Sequence, residues 1–418
     1  MPADTPVKAL ILAFTDAPSL AAYVINRLQP ELLCFFVPES AKTLVEEAVQ
    51  PLVQQMPKRW DWVVTPDPAD VIACHQALSR SIHDLFRNWA VQVGEVVVDL
   101  TGATPAMAAA LATVSQPWTS RVISLVDAEG REEGEAIAIG GLAKYWLQGN
   151  PWDESAVVVR REASDAFNHG SFRAAATLFH TLEARVSGGQ KPLYRALGEL
   201  ASGYGLWEQF HYRQAWDKLK TSLKALDMAS LWGGPPGLKA LLPFIKANNG
   251  FLEKLVLDPA DVKEGVVLDL LAHAHRRAHV DHDYERAMVA LVRAMEACAQ
   301  RQLFKQYKIK TWDVQPEQLP DAMRDTCRTC YLDDVDGKYK LPLQSQFRVL
   351  AGLGDQMGQA FLRDWPKMKP LFDAANHAVL GHGFEAIKAE RVQQLSDVVM
   401  KLTGVSESSL PKFPVLNL

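Results

Sequence analysis

Between Val7 and Asp127 the chain repeats one alternation: a short, β-rich apolar run followed by a stretch with helical spacing. "VKALILAF" (7–14) leads into "SLAAYVINRL", and "ELLCFFV" (31–37) into "PESAKTLVEEAVQPLV". "DWVVTP" (61–66) leads into "DVIACHQALSRSIHDLFRNWA", and "EVVVDL" (95–100) into "TGATPAMAAALATVS". "RVISLVD" (121–127) closes the series. Strands that are apolar on both sides need helices on both sides. The alternation therefore predicts an α/β domain built on a doubly wound, Rossmann-like parallel sheet. Ligands of such sheets bind beyond the carboxyl ends of the strands.

From about Asp153 onward the strand-like runs stop. "NHGSFRAAATLFHTLEARV", "EQFHYRQAWDKLKTSLKAL" and "DHDYERAMVALVRAMEACA" each place a polar turn, an aromatic, and an alanine three residues later: Phe172/Ala175, Tyr212/Ala215 and Tyr284/Ala287. Small residues opposite aromatics let helices pack closely, as in helical hairpins. The intervals between the three are too irregular for a solenoid. "SLWGGPPGLKALLP" (230–243) is a Gly/Pro break and the clearest internal boundary. The tryptophans of this region read as core. Residues 284–309, 345–365 and 385–404 read as three amphipathic helices, the first with Arg293 and Glu296 among apolar positions, the last with Gly404 as C-cap. An antiparallel bundle buries their apolar faces. The expected organisation is α/β followed by all-α: a sensor-like domain at 1–150, a helical-hairpin linker region at 151–280 and a helical bundle at 281–418.

A chain of 418 residues exceeds one core. Its net charge of -5 excludes a global basic field, so any nucleic-acid site must be a local patch. No apolar run approaches the roughly 20 residues of a membrane helix, and the N-terminus lacks the pattern of a secretory leader. Five cysteines, an odd number, argue against a disulfide framework and for a reducing cytoplasm. Cys327 and Cys330 form a single CxxC with no second pair, which reads as structural thiols; no metal site is expected.

Two short stretches carry chemistry. In "DLTGATPAM" (99–107), Asp99 ends a strand, Gly102 permits close backbone approach, and Thr101 and Thr104 supply hydroxyls before a helix start. Read from spacing, this is a capped strand–helix turn or an anion site. It is not a GxGxxG, so no dinucleotide cofactor is implied. The stretch resembles the Asp-x-Thr-Gly-Gly-Thr-Lys-x-Met turn of CARF domains, the CRISPR-associated sensors of cyclic oligoadenylates. Ala103 stands in place of the second glycine, and Pro105 in place of the lysine. The resemblance covers the βα order from Val7 to about Asn150. It implies cyclic oligoadenylate as activator and no other cofactor. It implies ligand contacts at Phe14, Thr15 and Asp16 after the first strand and Glu39 and Ser40 after the second. The fourth-strand turn would add Asp99, Thr101, Gly102, Ala103, Thr104, Pro105 and Met107.

The second stretch is "AANHAVLGHGF" (374–384). It resembles the Arg-Asn-x-x-x-x-x-His-Gly-Phe stretch of HEPN ribonucleases fused to CARF sensors. Asn376, His382, Gly383 and Phe384 match, and Ala375 occupies the arginine position. If the stretch is helical, positions 375 and 382 lie two turns apart on nearly one face. The resemblance implies a metal-independent endoribonuclease acting on single-stranded RNA in type III CRISPR antiviral defence. The 2′-hydroxyl would attack the adjacent phosphate to give a 2′,3′-cyclic phosphate, with the site completed by homodimerisation. Histidine moves protons near neutral pH, and arginine neutralises the phosphorane. One break in an otherwise intact motif favours an introduced inactivation over natural loss.

Arg277 and His282 also satisfy Arg-x4-His, but read as a solvated turn; His377 reads as secondary or structural. The alternatives are a non-catalytic cyclic-oligoadenylate-binding scaffold or ring nuclease, and a nucleotide-sensing transcriptional regulator. The absence of a basic recognition helix argues against the regulator.

Overall fold

The computed structural model describes residues 7–92, 94–127 and 134–418; the remaining parts of the expected 1–150 domain lie outside the described residues. The chain divides into two compact units, Met1–Arg160 with Phe179–Arg195, and Arg161–Leu178 with Ala196–Leu418.

The first unit carries β1 (Ala9–Ala13), α1 (Pro18–Leu28), β2 (Leu32–Pro38), α2 (Lys42–Leu44), β3 (Arg59–Thr65), α3 (Val71–Trp89), β4 (Val96–Asp99), α4 (Pro105–Ser115), β5 (Thr119–Asp127), β6 (Glu135–Ile139) and β7 (Leu142–Gly149). The sheet order is β3-β2-β1-β4-β5-β7-β6. The first five strands pair in parallel, as the alternation predicts. β6 and β7 add an antiparallel hairpin to the β5 edge, so the sheet is mixed. The sequence did not show this hairpin because much of "EAIAI" and "LAKYWLQG" is exposed, which leaves no continuous apolar run.

Period-two alternation distributes the core of this unit. Leu10, Leu12, Leu33 and Phe35 pack with α1 residues and with Val45 and Val49. Ala9, Ile11, Cys34 and Phe36 pack with α3 and α4. Helices on both sides therefore follow from strands apolar on both sides. The expected helix over 38–53 is irregular. A 3-10 turn at Glu39–Ala41, α2, a π-turn at Val45–Val49 and a second 3-10 turn at Gln50–Leu52 succeed one another. Pro51 lacks the amide that would continue an α-helical ladder.

The remaining helices are α5 (Trp152–Asn168), α6 (Phe172–Arg185), α7 (Lys191–Glu208), α8 (Tyr212–Leu231), α9 (Leu238–Leu257), α10 (Glu264–His279), α11 (Tyr284–Tyr307), α12 (Asp321–Cys330), α13 (Leu343–Gly352), α14 (Gln356–His377) and α15 (Ala389–Thr403). Phe172, Tyr212 and Tyr284 each open a helix, as their shared pattern predicts. Two residues before each, the backbone turns left-handed, at Gly170 (φ 74), Phe210 (φ 62) and His282 (φ 54). The next amides reach back: Ser171 to Ala166 O, His211 to Leu206 O and Asp283 to Arg277 O. The first two bonds span five residues, the return of a Schellman C-cap. The polar turn is thus a helix stop and a helix start in one.

Three expectations change. The Gly/Pro segment 230–243 covers the end of α8, the turn 232–237 and the start of α9, all within the second unit, and is not a unit boundary. Trp207 and Trp216 are buried, but Trp232 on that turn is 81% exposed. The expected helix 345–365 is two helices, because Gly354 (φ 79) ends α13 in a conformation that β-carbons disfavour.

Arg277 is not in a solvated turn. It closes α10 and donates to Glu208 Oε1 (2.9 Å) and Asp281 Oδ2 (2.5 Å). Arg276 Nε donates to the same Glu208 carboxylate at 3.0 Å. His273 Nδ1 lies 2.8 Å from it, off the line a hydrogen bond needs. Burial alone would raise the Glu208 carboxyl, but His273, Arg276 and Arg277 hold it down at about 2. Beside it, buried Asp269 accepts from Trp207 Nε1 and Tyr212 Oη, both at 2.9 Å. The C-terminal tail closes over this network: the Arg276 guanidinium sits 3.9 Å from the Phe413 ring, which packs against Tyr204 and Trp207. Asn248 donates to Lys412 O, and Asn168 both accepts from and donates to the backbone of Leu416.

Candidate sensor turn and candidate nuclease site

The sheet reverses its order between β1 and β4, so the loops leaving these two strands lie side by side at the switch point. Gly102 makes this possible. A β-carbon there would sit 2.7 Å from Ala13 O and 3.2 Å from Phe14 Cα. The two loops are stitched by Thr15 Oγ1 donating to Gly102 O at 2.9 Å.

Several expected ligand contacts are occupied by the fold itself. The Phe14 and Met107 side chains are fully buried in the two cores of the sheet, so only their backbones reach this turn. Thr101 Oγ1 donates to Asp99 Oδ1 (2.5 Å) and accepts from Leu125 N (2.9 Å). Thr104 Oγ1 accepts from Met107 N (3.2 Å) as the N-cap of α4 and donates to Pro68 O. Thr104 caps α4, and both hydroxyls have protein partners.

Asp99 is fully buried, and burial pushes its carboxyl up to about 7 against the two bonds from Thr101. Its Oδ2 has no partner among the described residues. Asp99 holds the turn from beneath through Oδ1, which accepts from Thr101 N and Oγ1. Asp16, Glu39, Ser40 and Pro105 are exposed, and Thr15, Gly102 and Ala103 half-exposed. Glu39 pairs with Lys42 at 3.0 Å.

In the second unit, α14 ends at His377, so 375–382 is not a continuous helix. Asn376 and His382 are brought together differently. The chain turns through Ala378–Gly381 and folds back, and His382 N donates to Asn376 O at 2.8 Å. Glu385 N donates to His377 O at 2.9 Å. Gly381 lies against the carbonyls of Ala375 and Asn376, and Gly383 against that of His377, leaving no room for a β-carbon at either. Glu285 fastens the loop from α11, accepting from Ile387 N (3.0 Å) and Leu380 N (3.4 Å). Asn376, His377 and His382 are exposed, and Ala375 packs partly against the bundle core. Around them Val379, Leu380 and Phe384 are exposed, the last by 97%.

Of the CxxC pair, Cys327 is buried and Cys330 exposed on α12. Among the described residues no group of three or more metal-capable side chains is assembled, and no helix is long and apolar enough to cross a membrane.

Residues 261–406 match the family model described as the Csm6 HEPN domain, and residues 156–252 the one described as the Csm6 6H domain. The chain belongs to the Csm6 group of type III CRISPR accessory proteins, with a CARF-type first unit and a helical HEPN region. Among solved structures, Enterococcus italicus Csm6 bound to cyclic hexa-2′-fluoro-hexa-dAMP superposes with a TM-score of 0.58 at 12% identity, covering 96% of both chains. That likeness shows the shared fold. A type III CRISPR defence DNA nuclease activated by cyclic oligoadenylate also matches, with a TM-score of 0.23 at 12% identity. It covers 48% of this chain and 34% of its own, too little to carry an argument. No curated protein matches the sequence.

Proposed function

We propose that the parent of this Csm6-type chain is a cyclic-oligoadenylate-activated, metal-independent endoribonuclease of the cytoplasm, and that Ala375 leaves the present chain nearly inactive. The module limits are those read from the sequence, 1–150, 151–280 and 281–418. One observation carries the reading: an exposed His382 is held by backbone bonds beside Asn376, and residue 375, on the same turn, lacks a guanidinium.

The chemistry needs little else. A 2′-oxygen gives up its proton and bonds to the adjacent phosphorus, the P–O5′ bond breaks, and the departing oxygen takes a proton. A 2′,3′-cyclic phosphate and a 5′-hydroxyl result. His382 moves these protons, an arginine at 375 stabilises the charge on the phosphorane with its planar fork, and Asn376 orients one of the two. Losing such a donor costs roughly 10²–10³ in rate. The apolar rim of Val379, Leu380 and Phe384 supports a homodimer in which two copies face each other across a two-fold axis.

For the activator, the turn after β4 offers backbone groups and few cations, since Pro105 replaces the lysine and Lys42 is tied to Glu39. Recognition of cyclic oligoadenylate would then lean on backbone amides and base contacts. Ala375 and the substituted sensor turn favour the second reading, a scaffold that binds the activator, or cleaves it, without cutting RNA. The deciding experiment is Ala375→Arg. Single-stranded RNA should be cut only when cyclic tri-, tetra- or hexa-adenylate is added, and calorimetry of the unaltered chain should identify which ring binds. Binding without cleavage in the arginine variant would favour the scaffold.

A further inference from the structure

A cleft of about 750 Å³ opens in the second unit, between the start of α8, the end of α9 and the middle of α11. It is remote in sequence from both stretches described above. Its cationic lining is Arg213, Lys263 and Arg293, against a single acid, Asp261. Asp261 pairs with Lys310 at 3.2 Å, and Arg293 with Glu296 at 3.2 Å. With these partners included, four cations stand against two carboxylates, a surplus of two positive charges in a chain whose net charge is -5. Lys263 donates to the carbonyls of Leu255 (2.9 Å) and Val256 (3.5 Å), and among the described residues it forms no ion pair with a carboxylate. Arg213 rests over the Trp216 ring at 5.5 Å and is exposed.

Aromatic surface accompanies the charge. Phe210 is 41% and Trp312 37% exposed, large apolar rings left at the edge of a polar cleft. Gln214 adds an amide that both donates and accepts, while the Gln300 Oε1 accepts from Arg293 at 3.0 Å. Exposed rings beside unbalanced cations suit one ligand chemistry, a phosphodiester next to a planar base. Bases stack on the rings without regard to identity, and cations follow the backbone. The volume lies within the range of small-ligand sites and holds about one nucleotide of a strand, not a duplex.

We propose that this cleft is a second RNA site, which grips the single strand away from His382 and sets how long an RNA is bound well. The proposal rests on the ribonuclease reading only for its biological meaning, because binding is measured without cleavage.

The test uses the full chain as it stands. Fluorescence anisotropy with a 15-nucleotide single-stranded RNA should show Arg213→Glu and Trp312→Ala each weakening binding about tenfold, with Arg213→Lys near the parent. The salt slope should fall by about 0.7 for a lost phosphate contact. RNA carrying 4-thiouridine should crosslink to peptides containing residues 210–214 or 312. In the Ala375→Arg background, the same variants should raise KM for a long RNA and leave kcat for a short one unchanged. Unaltered affinity in both variants, or crosslinks confined to the 376–384 loop, would overturn the proposal. So would free AMP competing as well as the strand does, which would make the cleft a mononucleotide site. If the cleft binds RNA and the arginine variant cuts nothing, the nuclease reading fails and this one stands.

Discussion

The backbone amide of His382 donates to the carbonyl of Asn376 at 2.8 Å, across a turn that reverses the chain at the end of α14. Two residues six apart are thereby brought together by main-chain atoms alone, with Gly381 and Gly383 lying where side chains cannot fit. The imidazole is positioned by the loop's backbone, and its residue is exposed to solvent.

Gly383→Ala should therefore act on catalysis rather than folding. A β-carbon there meets the His377 carbonyl and forces the exposed loop to shift. A displacement of about 1 Å costs roughly 10²-fold in rate. In the Ala375→Arg background, kcat should fall by about that factor, while the melting temperature and activator affinity hold. Single-turnover cleavage alongside thermal melts checks this, and unchanged kcat would mean the turn does not position His382.

Asp99 makes the first unit sensitive to pH. Its carboxyl is raised to about 7 by burial, against an ordinary value near 4. The folded state therefore holds the proton more tightly than the unfolded chain. The stability this gives is complete below about pH 4 and is lost as pH rises through 7, a change on the order of 4 kcal/mol. Asp99→Asn stays neutral, so its melting temperature relative to the parent should climb between pH 5 and pH 8. Melts across that range read the difference; a constant gap would mean Asp99 is not protonated at pH 5.

Glu208 has the opposite sign. Its carboxyl is held at about 2, so the stability it contributes is present above about pH 4.5 and is lost as pH falls toward 2. Glu208→Gln leaves Arg276 and Arg277 short of a buried partner, which costs about 3–5 kcal/mol. Denaturant unfolding at pH 7 should show this loss, and the gap should narrow at pH 3. Binding of cyclic oligoadenylate, which the proposed function places in the first unit, should not change. A deficit as large at pH 3 as at pH 7 would point to lost packing instead.

The parallel core and most helix starts were legible because local rules agree with the final fold. Residues such as Leu10 and Ile11 are apolar on both sides of a strand, and Phe172, Tyr212 and Tyr284 follow a turn that both stops and starts a helix. The β6–β7 hairpin was not legible because its side chains are largely solvated. Nor was the C-terminal tail, whose Phe413 has no periodicity and gains its place only by packing on Arg276, Tyr204 and Trp207.

The site residues divide in the same way. Asn376, His382, Asp99 and Gly102 stood out in the sequence because the stretches that carry them resemble two short family turns. The sequence could not show that the Thr101 and Thr104 hydroxyls are taken up by Asp99, Leu125, Met107 and Pro68, or that Arg277 is drawn into the Glu208 network. Those partners lie on other elements. Sequence limits what a side chain is able to do, but whether a polar group remains available depends on which distant donor or acceptor reaches it first, and only tertiary packing decides that.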